Sequence, residues 1–186
     1  MNRIVNAFFL TLLGAAFLIT AAHAQSSMAP AKSSAGTPAM DTTFMKKAAQ
    51  GGMAEVELGQ LAVQKAASDD VKKFGQRMVD DHTKANDQLK QIAGEEHVTL
   101  PRHLNAKDSA TKASLEKLSG TEFDRAYMHD MVKDHKQDVA EFQKESNSAQ
   151  NTGVKNFAAQ TLPTLKDHLK EAERIASSQG ASARVR

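Results

Sequence analysis

Four stretches of the chain carry an apolar stripe of helical period, and each stripe is broken near its middle by an ionisable side chain. Turning each residue by about 100° places Phe44, Ala48, Leu58, Gly59 and Ala62 on one face of the first stretch, with Glu55 at the centre of that face. Val71, Gly75, Met78, Ala85 and Leu89 share a face with His82 in the second. Tyr127, Met131 and Phe142 flank His135 and Asp138 in the third, and Val154, Phe157, Ala158, Thr161, Leu165, Ala172 and Ile175 share the stripe of His168 in the fourth. Helices with such stripes bury them only against one another, so the fold class is all-α.

The connections set the bundle order. The first helix is expected from about Phe44 to Ala67, and Ser68 caps the second, with Asp69 and Asp70 in its first turn. So short a turn makes the pair an antiparallel hairpin. Residues 94–120 form a connection that is long for a bundle, and it contains Pro101 and a short helical pattern from Ala106 to Leu118. A helix of that size with its flanks carries the chain from one end of the bundle to the other. The architecture expected is a ferritin-like four-helix bundle with a long crossover containing a short extra helix. The third long helix opens near Thr121 and runs to about Asn147; the last runs from Val154 to Ser177, with Pro163 expected to interrupt it. Glycines 51, 52 and 59 suggest close approach by a neighbour of the first helix.

Residues 1–24 read as a signal peptide: Arg3, an uncharged run from Ile4 to Thr20, and Ala22-His23-Ala24 as the cleavage site, with cleavage after Ala24. Residues 25–41 read as a disordered Ser/Ala/Pro linker, 42–178 as the helical-bundle domain and 179–186 as a flexible tail. The leader implies a periplasmic or secreted protein, in contact with a membrane only if the segment stays uncleaved. A formal net charge of +2 with interspersed signs gives no basic stripe for nucleic acid. No cysteine is present, so neither a disulfide nor a thiol nucleophile is available.

Glu55, His82, His135 and His168 each lie about 12 to 14 residues into their helices, so they converge at mid-height whatever the helix directions. Three imidazoles and carboxylates in a bundle core suit one transition metal ion, with Cu, Zn, Mn and Fe the candidates and Glu55, His82, His135, Asp138 and His168 the candidate ligands. Met78 and Met131 each stand four residues before an inward histidine, and a nearby soft sulfur would favour copper. The alternative is a metal-free hydrogen-bond network that fixes helix register. Asp81, Asp134 and Asp167 precede the inward histidines and are expected to face solvent, as are His97, His103 and His129.

The stretches "FMKKAAQGGMAEVELGQLAVQKA", "VKKFGQRMVDDHTKAN", "GTEFDRAYM", "DHKQDVAEF" and "LPTLKDHL" resemble the domain of unknown function 4142 family, over residues 42–176. The resemblance implies a ferritin-like bundle in exported bacterial proteins, with no established activity and with Glu55, His82, His135 and His168 as its polar core. Ferritin-like di-iron sites use Glu-x-x-His, yet Val79, Val132 and Leu165 stand three before the inward histidines, so di-iron chemistry is not expected. Neither a phosphate loop nor a serine elbow is present. The reading is a metal-binding or stress-related protein rather than an enzyme, with a non-catalytic structural or interaction bundle as the alternative and no protein partner identifiable.

Overall fold

The computed structural model of the chain describes residues 36–184, with side chains through residue 179. The leader at 1–24 and the linker up to residue 35 lie outside the described residues. Five helices follow: α1 (Ala39–Lys65), α2 (Asp69–Glu95), α3 (Ala106–Glu116), α4 (Gly120–Ser148) and α5 (Thr152–Arg184). The fold is an all-α bundle. None of the described helices is long and apolar enough to cross a membrane.

Two buried aspartates hold the helix ends together. Asp124, at the start of α4, accepts hydrogen bonds from the backbone N–H groups of Ala67 (3.0 Å) and Ser68 (2.9 Å) in the α1–α2 turn. Asp41, at the start of α1, accepts from Gln150 (3.1 Å) and Asn151 (2.6 Å) in the α4–α5 turn. Each hairpin therefore caps the turn of the other. The beginning of α1 lies at the end of α4, so these two helices are antiparallel, and the end of α2 and the beginning of α4 are at opposite ends of the bundle. The crossover through α3 spans that distance, as the ferritin-like order requires. Lys112 of α3 reaches Glu57 of α1 at 2.8 Å, and Leu115 is the buried anchor of α3.

The two clamps are related by a shift of 83 residues, from 41 to 124 and from 68 to 151. The same shift pairs Phe44 with Tyr127, Met45 with Met128, Glu55 with Asp138, Val71 with Val154 and Phe74 with Phe157. All of these but Asp138 are buried. The bundle is thus two similar hairpins related by an approximate two-fold. Asp41 explains why α1 starts at Ala39, inside the segment read as linker: a buried carboxylate bonded to another turn ties these residues into the fold. It also corrects the expected caps, since Ser68 makes no side-chain cap bond and Asp124 satisfies that turn instead. At the other end α5 continues to Arg184, past residue 178. It runs unbroken through Pro163, which is exposed, as is Ala159, whose carbonyl lacks a helical donor.

The apolar core is divided in two. Phe74, Met78, Phe123, Tyr127, Met128, Met131 and Ile175 belong to one cluster; Phe44, Met45, Leu89, Phe142, Phe157 and Leu165 belong to the other. In each long helix the inward polar residue falls between the two sets. Within the first hairpin, α1 and α2 touch through glycines: a Cβ on Gly59 would come 2.6 Å from the carbonyl oxygen of Gly75. Gly51, by contrast, faces open space, so only two of the three glycines meet a neighbour.

Two stability predictions follow from this packing. Asp124→Ala and Asp41→Ala each remove two charge-assisted bonds to turn N–H groups and should each cost about 2–4 kcal/mol in urea unfolding; a loss under 0.5 kcal/mol would contradict the clamp. Gly59→Ala should destabilise by about 1–3 kcal/mol through backbone overlap, despite alanine's better helix propensity, whereas Gly51→Ala should be neutral or stabilising.

Candidate metal centre

The polar layer is buried on every side. Glu55 is 1% exposed, His82 5%, and His135 and His168 0%. One ring nitrogen of each histidine lies within 4.8 Å of one from each of the others, and the ring centroids are 5.3–5.8 Å apart. The three helices that carry them place the rings at one height because each histidine replaces one apolar position of a helical stripe. Phe74 closes the layer from below, its ring edge-on to both His135 and His168 at 6.4 Å.

Hydrogen-bond partners fix which nitrogen of each ring carries its proton. His135 Nδ1 lies 3.0 Å from the carbonyl of Met131, an acceptor, so that nitrogen donates. His168 Nε2 donates to Asp81 Oδ2 at 2.9 Å. His82 Nδ1 faces Glu55 Oε2 at 2.8 Å and donates to it. Each neutral ring then has one lone pair left, on His82 Nε2, His135 Nε2 and His168 Nδ1. The last two face each other at 3.3 Å, and Glu55 Oε1 lies 3.3 Å from His135 Nε2. Among the described residues, His82 Nε2 and Glu55 Oε1 have no hydrogen-bond partner. The interior of the layer is lined by acceptors, and each buried acceptor left unmatched costs about 1–3 kcal/mol.

Burial also sets the charges. It raises the Glu55 carboxyl from its ordinary 4.5 to about 8, against the attraction of His135. It lowers His82, His135 and His168 from 6.5 to about 4; for His168 this prevails over the hydrogen bond its ring donates to Asp81. Without a bound cation the layer is therefore uncharged near neutral pH, with its proton on Glu55. Asp81 is the exception: burial opposes its ionisation, but its bond to His168 and the neighbouring Arg77 hold its carboxyl below the usual range. Arg77 contacts Asp81 at 3.4 Å and Glu171 at 2.6 Å, so Asp81 is a fixed carboxylate behind His168. A carboxylate on the far nitrogen of a histidine is the arrangement that orients imidazole ligands and raises their basicity.

Asp81 was expected to face solvent, and the structure corrects this: its flank of α2 faces α5, and its side chain is only 27% exposed. Asp134 is also not free. Glu55, Asp134 and Asp138 bring one carboxylate oxygen each within 4.8 Å of the others, so Asp138 joins an acidic group rather than the imidazole group. Two ionised carboxylates at such separation repel by roughly 3–4 kcal/mol at an effective dielectric near 20. Burial, with Glu55 and Asp134 adding to it, raises the Asp138 carboxyl well above its ordinary range. Asp167, His97, His103 and His129 are exposed as expected. Phe74, Asp81, Asp41 and Asp124 were not among the expected inward residues. The 83-residue self-similarity of the chain was the signal that could have found Phe74 and the two clamps.

The His/Glu cluster is one that could hold a metal ion. A crystal structure of a DUF305 fragment from Deinococcus radiodurans matches with a TM-score of 0.68 at 13% identity, covering 77% of this chain and 99% of that one, a likeness of fold. No curated protein matches the chain. The sequence model of the family described as "Domain of unknown function (DUF4142)" matches residues 25–175. The chain belongs to the DUF4142 family, as its motifs suggested.

Proposed function

We propose that the protein is an exported metal-binding bundle that holds one transition metal ion through His82, His135 and His168, with Glu55 as the charge-balancing fourth ligand. One observation carries this reading. Two nitrogens bound at about 2.0–2.1 Å to a tetrahedral ion such as zinc are themselves about 3.3–3.4 Å apart, and the facing lone pairs of His135 and His168 are 3.3 Å apart, as are Glu55 Oε1 and His135 Nε2. Zinc or copper is the cation favoured by three imidazoles, and the buried Met78 and Met131 in the adjoining core keep copper in the comparison. Export rests on the sequence pattern of residues 1–24.

A second reading is that the layer is a metal-free network fixing helix register. It is favoured by the 2.8 Å contact of Glu55 with His82 and by the raised Glu55 carboxyl, which keeps a proton that Oε1 can direct at His135.

Elemental analysis and thermal melts of the untagged protein distinguish them. The metal reading expects close to one equivalent of zinc or copper and a melting shift of several degrees on adding it, since a ligand at 100 times its Kd adds about 2.7 kcal/mol. His135→Ala and His168→Ala should abolish both. Equal melts with and without metal in the wild-type protein would leave the network reading.

The metal-free protein should also show a stability maximum near pH 6.5. Between about pH 4 and 6.5 the unfolded chain protonates three imidazoles that the folded core keeps neutral, so stability falls as pH falls. From 4.5 to about 8 the folded state retains a Glu55 proton that the unfolded chain releases, so this one group removes stability as pH rises. Below 6.5 the three imidazoles outweigh it; above, Glu55 removes up to about 1.4 kcal/mol per pH unit, and the raised Asp138 carboxyl acts in the same direction. Bound metal displaces the Glu55 proton and should abolish this group's falling slope above pH 6.5. A metal-free melting temperature that is flat from pH 5 to 8 would contradict the burial of the layer.

A further inference from the structure

We propose that Glu55, Asp134 and Asp138 form a second cation position beside the imidazole layer, selective for an oxygen-preferring divalent ion such as Mn2+, Mg2+ or Ca2+. One oxygen from each carboxylate lies within 4.8 Å of the others. The cluster has an unsatisfied member: Glu55 is 1% exposed, and its Oε1 has no hydrogen-bond partner. Asp138 makes neither a hydrogen bond nor an ion pair among the described residues. Lys107 Nζ is 3.9 Å from Asp134 with its side chain 65% exposed, and among the described residues no lysine or arginine forms an ion pair with Glu55 or Asp138.

The approximate two-fold explains how the space arises. Glu55 and Asp138 are equivalent under the 83-residue shift and approach from opposite hairpins. The positions equivalent to His135 and His168 are Gly52 and Ala85, which carry no ring. On that side the Asn86 side chain fills the space beside Gly52, and a cavity of about 20 Å3 remains, lined by Gly52, Glu55, His82, Ala85 and Asp138 among others and not by Asp134. That is room for one water-sized group against two carboxylates. Asp134, with its side chain 29% exposed, opens the cluster towards solvent and leaves coordination positions for water, as manganese and magnesium prefer. The carboxylate set suits hard cations and the imidazole set borderline ones, so the two positions take different metals. His135-x-x-Asp138 is also the reverse of the Glu-x-x-His order of di-iron bundles, and no bridged-iron oxidation is implied. The sharing of Glu55 between two ions rests on the imidazole reading; the carboxylate position itself does not.

Electron paramagnetic resonance titration of the full chain with Mn2+, before and after one equivalent of Zn2+, tests this. The wild-type protein should take up one Mn2+ that zinc does not displace. Asp138→Asn and Asp134→Asn, both near-isosteric, should weaken Mn2+ at least tenfold while zinc uptake and the melting temperature without metal are retained. His168→Ala should lose zinc yet keep Mn2+ within about threefold, so loss of the imidazole site reads separately from loss of this one. Mn2+ affinity unchanged in Asp138→Asn, displacement of Mn2+ by a single zinc, or no uptake by the folded wild-type protein would overturn the proposal.

Discussion

Removing one carboxyl and three imidazoles from water is the constraint on which the rest of the molecule depends. Desolvation raises Glu55 and lowers the histidines, so the layer is stable only as an uncharged set or as a set neutralising a cation. Everything adjacent serves one of those two states. Met131 and Asp81 occupy the outward nitrogens of His135 and His168, and Arg77 keeps Asp81 ionised. The lone pairs are thereby turned inward, towards one another and towards Glu55.

Such a layer needs rigid surroundings, because lone pairs held 3.3 Å apart separate if the helices can slide. Rigidity comes from both ends of the bundle. Asp41 and Asp124 each bind the opposite hairpin's turn, and apolar clusters lie above and below the layer, with Phe74 edge-on against the rings of His135 and His168. The two hairpins are alike in these structural parts and unlike at the site. His135 and His168 have no counterparts at Gly52 and Ala85, so the second hairpin supplies two imidazoles where the first has the Asn86 side chain and a small cavity. Asymmetry within a near-symmetric frame separates an imidazole group from a carboxylate group only a few ångströms away.

How much of this was legible follows from which residues reveal themselves locally. An ionisable residue inside an apolar stripe contradicts its own helix, and that contradiction located Glu55, His82, His135 and His168 without any knowledge of neighbours. Asp81 and Asp134 carry no such mark. Each sits about 100° from an inward histidine, a direction that faces water on an isolated helix but another helix once the bundle is assembled. Asp138 was legible as inward, but its company was not, since its distance to Glu55 is set by the contact between α1 and α4. Asp41 looked like part of a flexible polar stretch because its partners are more than a hundred residues away, at Gln150 and Asn151.

Periodicity determined, from the sequence alone, that the chain makes four long helices and a short crossing one, and that their polar residues meet at one height. Those properties are local: a helix advances by a fixed rise and turn per residue whatever lies beside it. Which nitrogen of each ring points inward, which carboxylate stands behind which histidine, and where a cavity remains were decided only by the tertiary structure. These depend on side chains from different helices approaching within hydrogen-bond distance, and helix packing, not helix formation, sets that distance.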